Sequence, residues 1–134
     1  VRFGGSFSYS VPTTAGRTYL LRFTFSEVWW AVTGARLFDV RVNGATVLPA
    51  VDPYALAGSR QFVPAVQNAT VTAPAGAGMN VSFVATRDNA ILAAMEVSAL
   101  LHLPQQQLHC SCLGQRRLNR TSSGRCCVAL LCLP

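Results

Sequence analysis

The chain has 134 residues, 51% of them hydrophobic, and a formal net charge of +6. That is one domain at most, with enough apolar content for a core, and no apolar run nears the roughly 18 residues that span a bilayer. Residues 1–100 carry seven Arg against five acids, and the four Arg of 101–134 stand with no acid at all. The excess therefore sits in a tail, and no nucleic-acid partner is expected.

The chain opens at Val1 with no initiator Met, basic n-region or apolar h-region. This reads as a fragment whose targeting signal would lie upstream. The first clear strand is "RTYLLRFTF", where Tyr19, Leu21, Phe23 and Phe25 share one face and Arg22 and Thr24 the other. It leads into the adjacent pair Trp29–Trp30, which are the only tryptophans in the chain. Neighbouring side chains of a strand point to opposite faces, so the two rings cannot both fill one core. One buried and one exposed ring, or two rings on a rim where the strand has ended, both satisfy that rule.

"RLFDVRV" repeats the alternation, with Phe38, Val40 and Val42 inward and Asp39 and Arg41 outward. Asn43–Gly44 then stands between two apolar runs, the strongest short-range hairpin signal. "DPYALAGSR" at 52–60 reads as a short helical turn within a connection. "NATVTA" and "MNVSFVA" read as strands, separated by Pro74, Gly76 and Gly78. "AILAAMEV" favours helix on propensity but places Ile91, Ala93, Met95 and Val97 on one face at period two, and is read as one strand. Many short strands at turn-marked spacing predict an all-β, antiparallel sandwich over residues 1–100. After Leu100 the periodicity ends. Residues 101–134 read as an unstructured, basic tail outside the domain, holding all five cysteines and both histidines.

The domain segment thus has no thiol and no imidazole. Its acids are Glu27, Asp39, Asp52, Asp88 and Glu96, and the sequence singles out no catalytic pair among them. The tail's cysteine spacing does not match the usual zinc pattern. No enzyme, metal centre or cofactor is expected. Asn68, Asn80 and Asn119 head Asn-x-Ser/Thr sequons, which permit a secretory route. Two exposed tryptophans are what a sugar needs, since pyranose C–H groups stack on an aromatic face while the hydroxyls seek polar partners. Asp88, in the turn "RDNA", is a carboxylate able to accept from vicinal hydroxyls, although an Asx-turn alone would also explain it.

The blocks "LRFTFSEVWW", "GARLFDVRVNG", "DPYALAG" and "DNAILAAMEV" occur in that order over residues 2–98. In this respect the chain resembles the malectin domain family. The resemblance implies a jelly-roll-like antiparallel β-sandwich of the galactose-binding or malectin-like kind, incomplete at the N-terminus. It implies binding of a glucose-containing oligosaccharide without cleavage, as in the endoplasmic-reticulum lectin of animals, in the endoplasmic-reticulum lumen or outside the cell. Related domains on plant receptor kinases add protein and peptide partners as an alternative, and membrane attachment would come only through segments outside this chain. Carried over position by position, the family's paired aromatics fall on Trp29 and Trp30, and its ligand aspartate falls on Asp88. Trp–Trp stands where Tyr–Phe is commoner, so the sugar preference is not inherited. The family's two tyrosines before the part matching Arg2–Phe3 have no counterpart here, so the cleft is expected to lack about half of its aromatic wall.

Overall fold

The fold is given by a computed structural model, which describes residues 1–76 and 78–100. The tail expected over 101–134 lies outside the described residues. In chain order the elements are β1 (Arg2–Gly4), β2 (Ser6–Val11), β3 (Thr18–Ser26), β4 (Leu37–Val42), β5 (Ala45–Val51), α1 (Pro53–Leu56), β6 (Pro64–Thr72), β7 (Met79–Arg87), β8 (Ala90–Leu92) and β9 (Ala94–Ala99). All strand pairings are antiparallel.

Two sheets make the sandwich, in the orders β2-β7-β4-β5 and β6-β3-β9, with β1 and β8 forming a small two-stranded sheet of their own. Strand β3 pairs along its whole length with β6, from Thr18 opposite Thr72 to Ser26 opposite Pro64. Its inward residues Tyr19, Leu21, Phe23 and Phe25 are all buried, as the alternation requires. They meet Phe38, Val40 and Val42 of β4 and Met79, Val81 and Phe83 of β7 in one core. Edge-to-face contacts join the two sheets, Phe23 to Phe83 at 5.9 Å between ring centres and Phe25 to Phe38 at 5.4 Å. Each of these four rings is fully buried, and truncating one to Ala should cost about 3–5 kcal/mol.

The hairpin forms where expected, with Asn43 at φ 50° and Gly44 at φ 85°. Two consecutive residues with positive φ turn the chain with the twist of its flanking strands. Pro49 and Pro64 lie on the edge strands β5 and β6, where a missing N–H breaks no ladder. The short helical turn at 52–60 is α1, capped by Asp52, whose Oδ1 accepts from the Ala55 N–H at 3.1 Å.

One sequence expectation fails. Residues 90–97 do not form a single strand with Ile91, Ala93, Met95 and Val97 on a common face. Ala93 is exposed, and its N–H donates to the Thr24 carbonyl at 2.9 Å. The chain breaks there and passes from β1 at one end (Ile91 opposite Phe3) to β3 (Met95 opposite Phe23). Ala90, Ile91 and Leu92 are all buried, because β8 closes the end of the core rather than lying half-exposed on a sheet face.

Candidate functional site

The inward parity of β3 does not stop at Phe25. Glu27, next in that series, is completely buried. A buried carboxylate needs donors, and this one takes them from the chain just ahead. Its Oε1 accepts from the backbone N–H of Trp29 at 2.8 Å and of Trp30 at 3.0 Å. Those amides are turned inward onto the carboxylate, β3 ends, and the two side chains stand outside.

Arg36 completes the arrangement. It continues the inward parity of Phe38, Val40 and Val42 in the opposite direction and is buried. Its Nε donates to Glu27 Oε2 at 2.6 Å, and its Nη1 reaches Asp88 Oδ2 at 2.9 Å and the Asn89 carbonyl. Asp88 sits in the two-residue turn between β7 and β8 with φ 57°, a conformation that Asp tolerates better than most residues. The same Oδ2 accepts from the Trp30 indole Nε1–H at 2.9 Å. A closed circuit results: Trp30 amide to Glu27, Glu27 to Arg36, Arg36 to Asp88, Asp88 to Trp30 indole. Trp30 is pinned at both ends. From below, Asp52 Oδ2 accepts from the Gly34 N–H at 2.6 Å and Arg87 donates to the Gly34 carbonyl at 2.8 Å, which fixes the rest of the loop.

Trp29 is 74% exposed and Trp30 38%, so neither ring belongs to the core. Both line a cleft of about 380 Å³ together with Phe3, Val28, Ile91, Arg36, Asp88 and Asn89. That volume lies toward the small end of ligand sites, about 300–1,000 Å³. The structure therefore brings Trp29, Trp30 and Asp88 to one place. Phe3, 71% exposed on β1, adds a ring to a lining expected to be poorer in aromatics. Asn89 donates through Nδ2 to Asp88 Oδ1 at 3.3 Å, a long bond that leaves this oxygen with acceptor capacity toward the cleft. Sequence reasoning passed over Phe3, Glu27 and Arg36. For the last two a signal was present, since an acid and a base each continued the inward series of a strand.

Both carboxyls of the site are held ionised. Burial pushes the Glu27 carboxyl up, but the Arg36 hydrogen bond, the Trp30 and Trp29 amides and the guanidinium charge outweigh it, and its pKa lies below the ordinary value. The indole N–H of Trp30 is the main cause that lowers Asp88. Partial burial opposes it, and the Asn89 amide and Arg36 charge reinforce it. An ionised carboxylate is an acceptor only, so Asp88 can take hydrogen bonds from hydroxyl or amide donors at the cleft.

Exposed rings braced over a charged circuit at one end of a β-sandwich make up the candidate site. The chain belongs to the malectin domain family, whose model matches residues 2–95. Over 47 residues, 35% of this chain and 17% of that protein, it is 43% identical to Malectin-A of Xenopus laevis. Its fold is similar to that of the ANXUR1 extracellular domain from Arabidopsis thaliana, with a TM-score of 0.63 at 16% identity over 70% of this chain and 27% of that one. A comparable likeness, TM-score 0.61 at 22% identity over 73% of this chain and 28% of that one, links it to a structure of the plant peptide RALF23 in complex with FER and LLG2. The chain thus spans less than a third of each of these relatives.

Proposed function

We propose that this domain binds a glucose-containing oligosaccharide without cleaving it. A sugar ring stacks on the Trp29–Trp30 platform and its hydroxyls donate to Asp88. The observation that carries this reading is the Trp30 indole bond to Asp88 at 2.9 Å. It fixes an exposed aromatic face beside an ionised carboxylate, and it uses the indole N–H internally, so the ring offers only its face. Apolar stacking with directional acceptors alongside is the pattern that orients a sugar. Family membership supports the same reading.

A second reading is a protein- or peptide-interaction module. Val32, exposed in the same loop as the tryptophans, extends the apolar surface beyond the cleft and favours it. The RALF23 peptide belongs to the plant complex of similar fold, and its presence there motivates the same test here. Heteronuclear NMR separates the two readings through the two indole N–H resonances. Adding glucose disaccharides should shift both in a saturable way. If only peptides moved them, the carbohydrate reading would be wrong. By the same reading the domain works in the secretory pathway, in the endoplasmic-reticulum lumen or outside the cell. Among the described residues no helix is long and apolar enough to cross a membrane.

A further inference from the structure

The loop between α1 and β6 carries one more ring to this end of the molecule. Phe62 is 71% exposed and takes φ 59°, the left-handed region that a bulky side chain seldom occupies. Two hydrogen bonds hold it there. Its own N–H donates to the Glu27 carbonyl at 2.8 Å, and Nε2 of the preceding Gln61 donates to the Trp29 carbonyl at 2.9 Å. Residues 61 and 62 are thus stitched to the backbone that presents Trp29. The ring is no part of the core and no part of the cleft lining. Left-handed backbone at a bulky residue, kept by its surroundings while the side chain faces water, clusters at ligand-binding positions.

We propose that Phe62 is a second sugar-stacking subsite beside Trp29, taking the hexose that follows the part of a glucan held in the cleft. This rests on the carbohydrate reading above and deepens it. A cleft of about 380 Å³ fills early, so a longer chain must leave it across the neighbouring surface. Phe62 has no polar edge and would add affinity without choosing an orientation. Its effect should therefore depend on ligand length rather than on linkage detail.

Calorimetric titration of the full chain with maltose to maltotetraose and laminaribiose to laminaritetraose tests this. One stacked ring corresponds to about three- to tenfold in affinity. The unmodified protein should gain that factor between disaccharide and tetrasaccharide in at least one series. Phe62→Ala should abolish the gain and keep the disaccharide affinity, and Phe62→Tyr, which retains a ring, should keep both. The subsite is overturned if the protein shows no gain with length, if Phe62→Ala keeps the gain, or if it weakens every length alike. If no glucan binds, or if Trp29→Ala and Trp30→Ala bind all lengths as before, the carbohydrate reading itself fails and the subsite falls with it.

Discussion

Arg36 is the residue on which the site's geometry turns, because one buried guanidinium serves two carboxylates from different parts of the chain. Removing one member of a buried pair leaves the other charge uncompensated and costs about 3–5 kcal/mol. Arg36→Met should therefore lower unfolding free energy by that amount in a urea titration, whereas a loss under about 1 kcal/mol would show that the circuit is ornamental. Arg36→Lys should recover little, since a single ammonium cannot reproduce the planar fork between Glu27 and Asp88. The carboxyls also set a pH dependence. Both folded-state pKa values lie below the unfolded ones, so their contribution is whole above the unfolded value of about 4 and is lost as pH falls through the lowered folded values. Urea titrations from pH 7 down to 3 should show this fall, and Glu27→Gln should flatten it. Trp29, Trp30 and Asp88 could be singled out from the sequence because adjacent rings and a turn aspartate are conspicuous. Glu27 and Arg36 were equally legible by parity, but an acid in an aromatic strand reads as exposed unless its partner is sought.

At the scale of elements, turn chemistry and alternation separate what was readable from what was not. Strands β3, β4 and β7 alternate mostly polar outward residues with large buried apolar ones, so their period was plain. The Asn43–Gly44 hairpin needed only its two residues. Strand β2 (SFSYSV) alternates too, but serine on one face carries little apolar contrast, and β1 and β8 have only three residues each. Three residues buried in succession have no period, so the break at Ala93 could not be seen. Gly78 is the turn position on which β7 depends. Its φ is 87°, and a Cβ there would lie 2.9 Å from the Val11 carbonyl oxygen at the end of β2. Gly78→Ala should destabilise the domain by about 1–3 kcal/mol, combining left-handed strain with a backbone clash. A thermal midpoint within a degree of the parent protein would show that this turn can relax.

At the scale of the whole molecule, β3 and β4 deliver Glu27 and Arg36 to one end of the sandwich, and the β7–β8 turn brings Asp88 across to them. The core therefore braces the loop that carries the two tryptophans, through Glu27 at its start and Arg36 at its end. The all-β class was legible from the number and spacing of strands, and the jelly-roll-like kind came from the ordered sequence blocks. Which strands meet at the end depends on pairings between residues 58 positions apart, such as Trp30 with Asp88, and no local pattern encodes those. Sugar binding at this end of the sandwich is tested by calorimetric titration of the protein with α- and β-linked glucose disaccharides, repeated for Trp29→Ala, Trp30→Ala and Asp88→Ala. At least one disaccharide should bind, and each substitution should weaken it by about tenfold while the circular dichroism spectrum stays that of the folded protein. A measurable affinity left unchanged by all three substitutions would rule out Trp29, Trp30 and Asp88 as the sugar site, and the absence of binding to every disaccharide would rule out sugar binding by this domain.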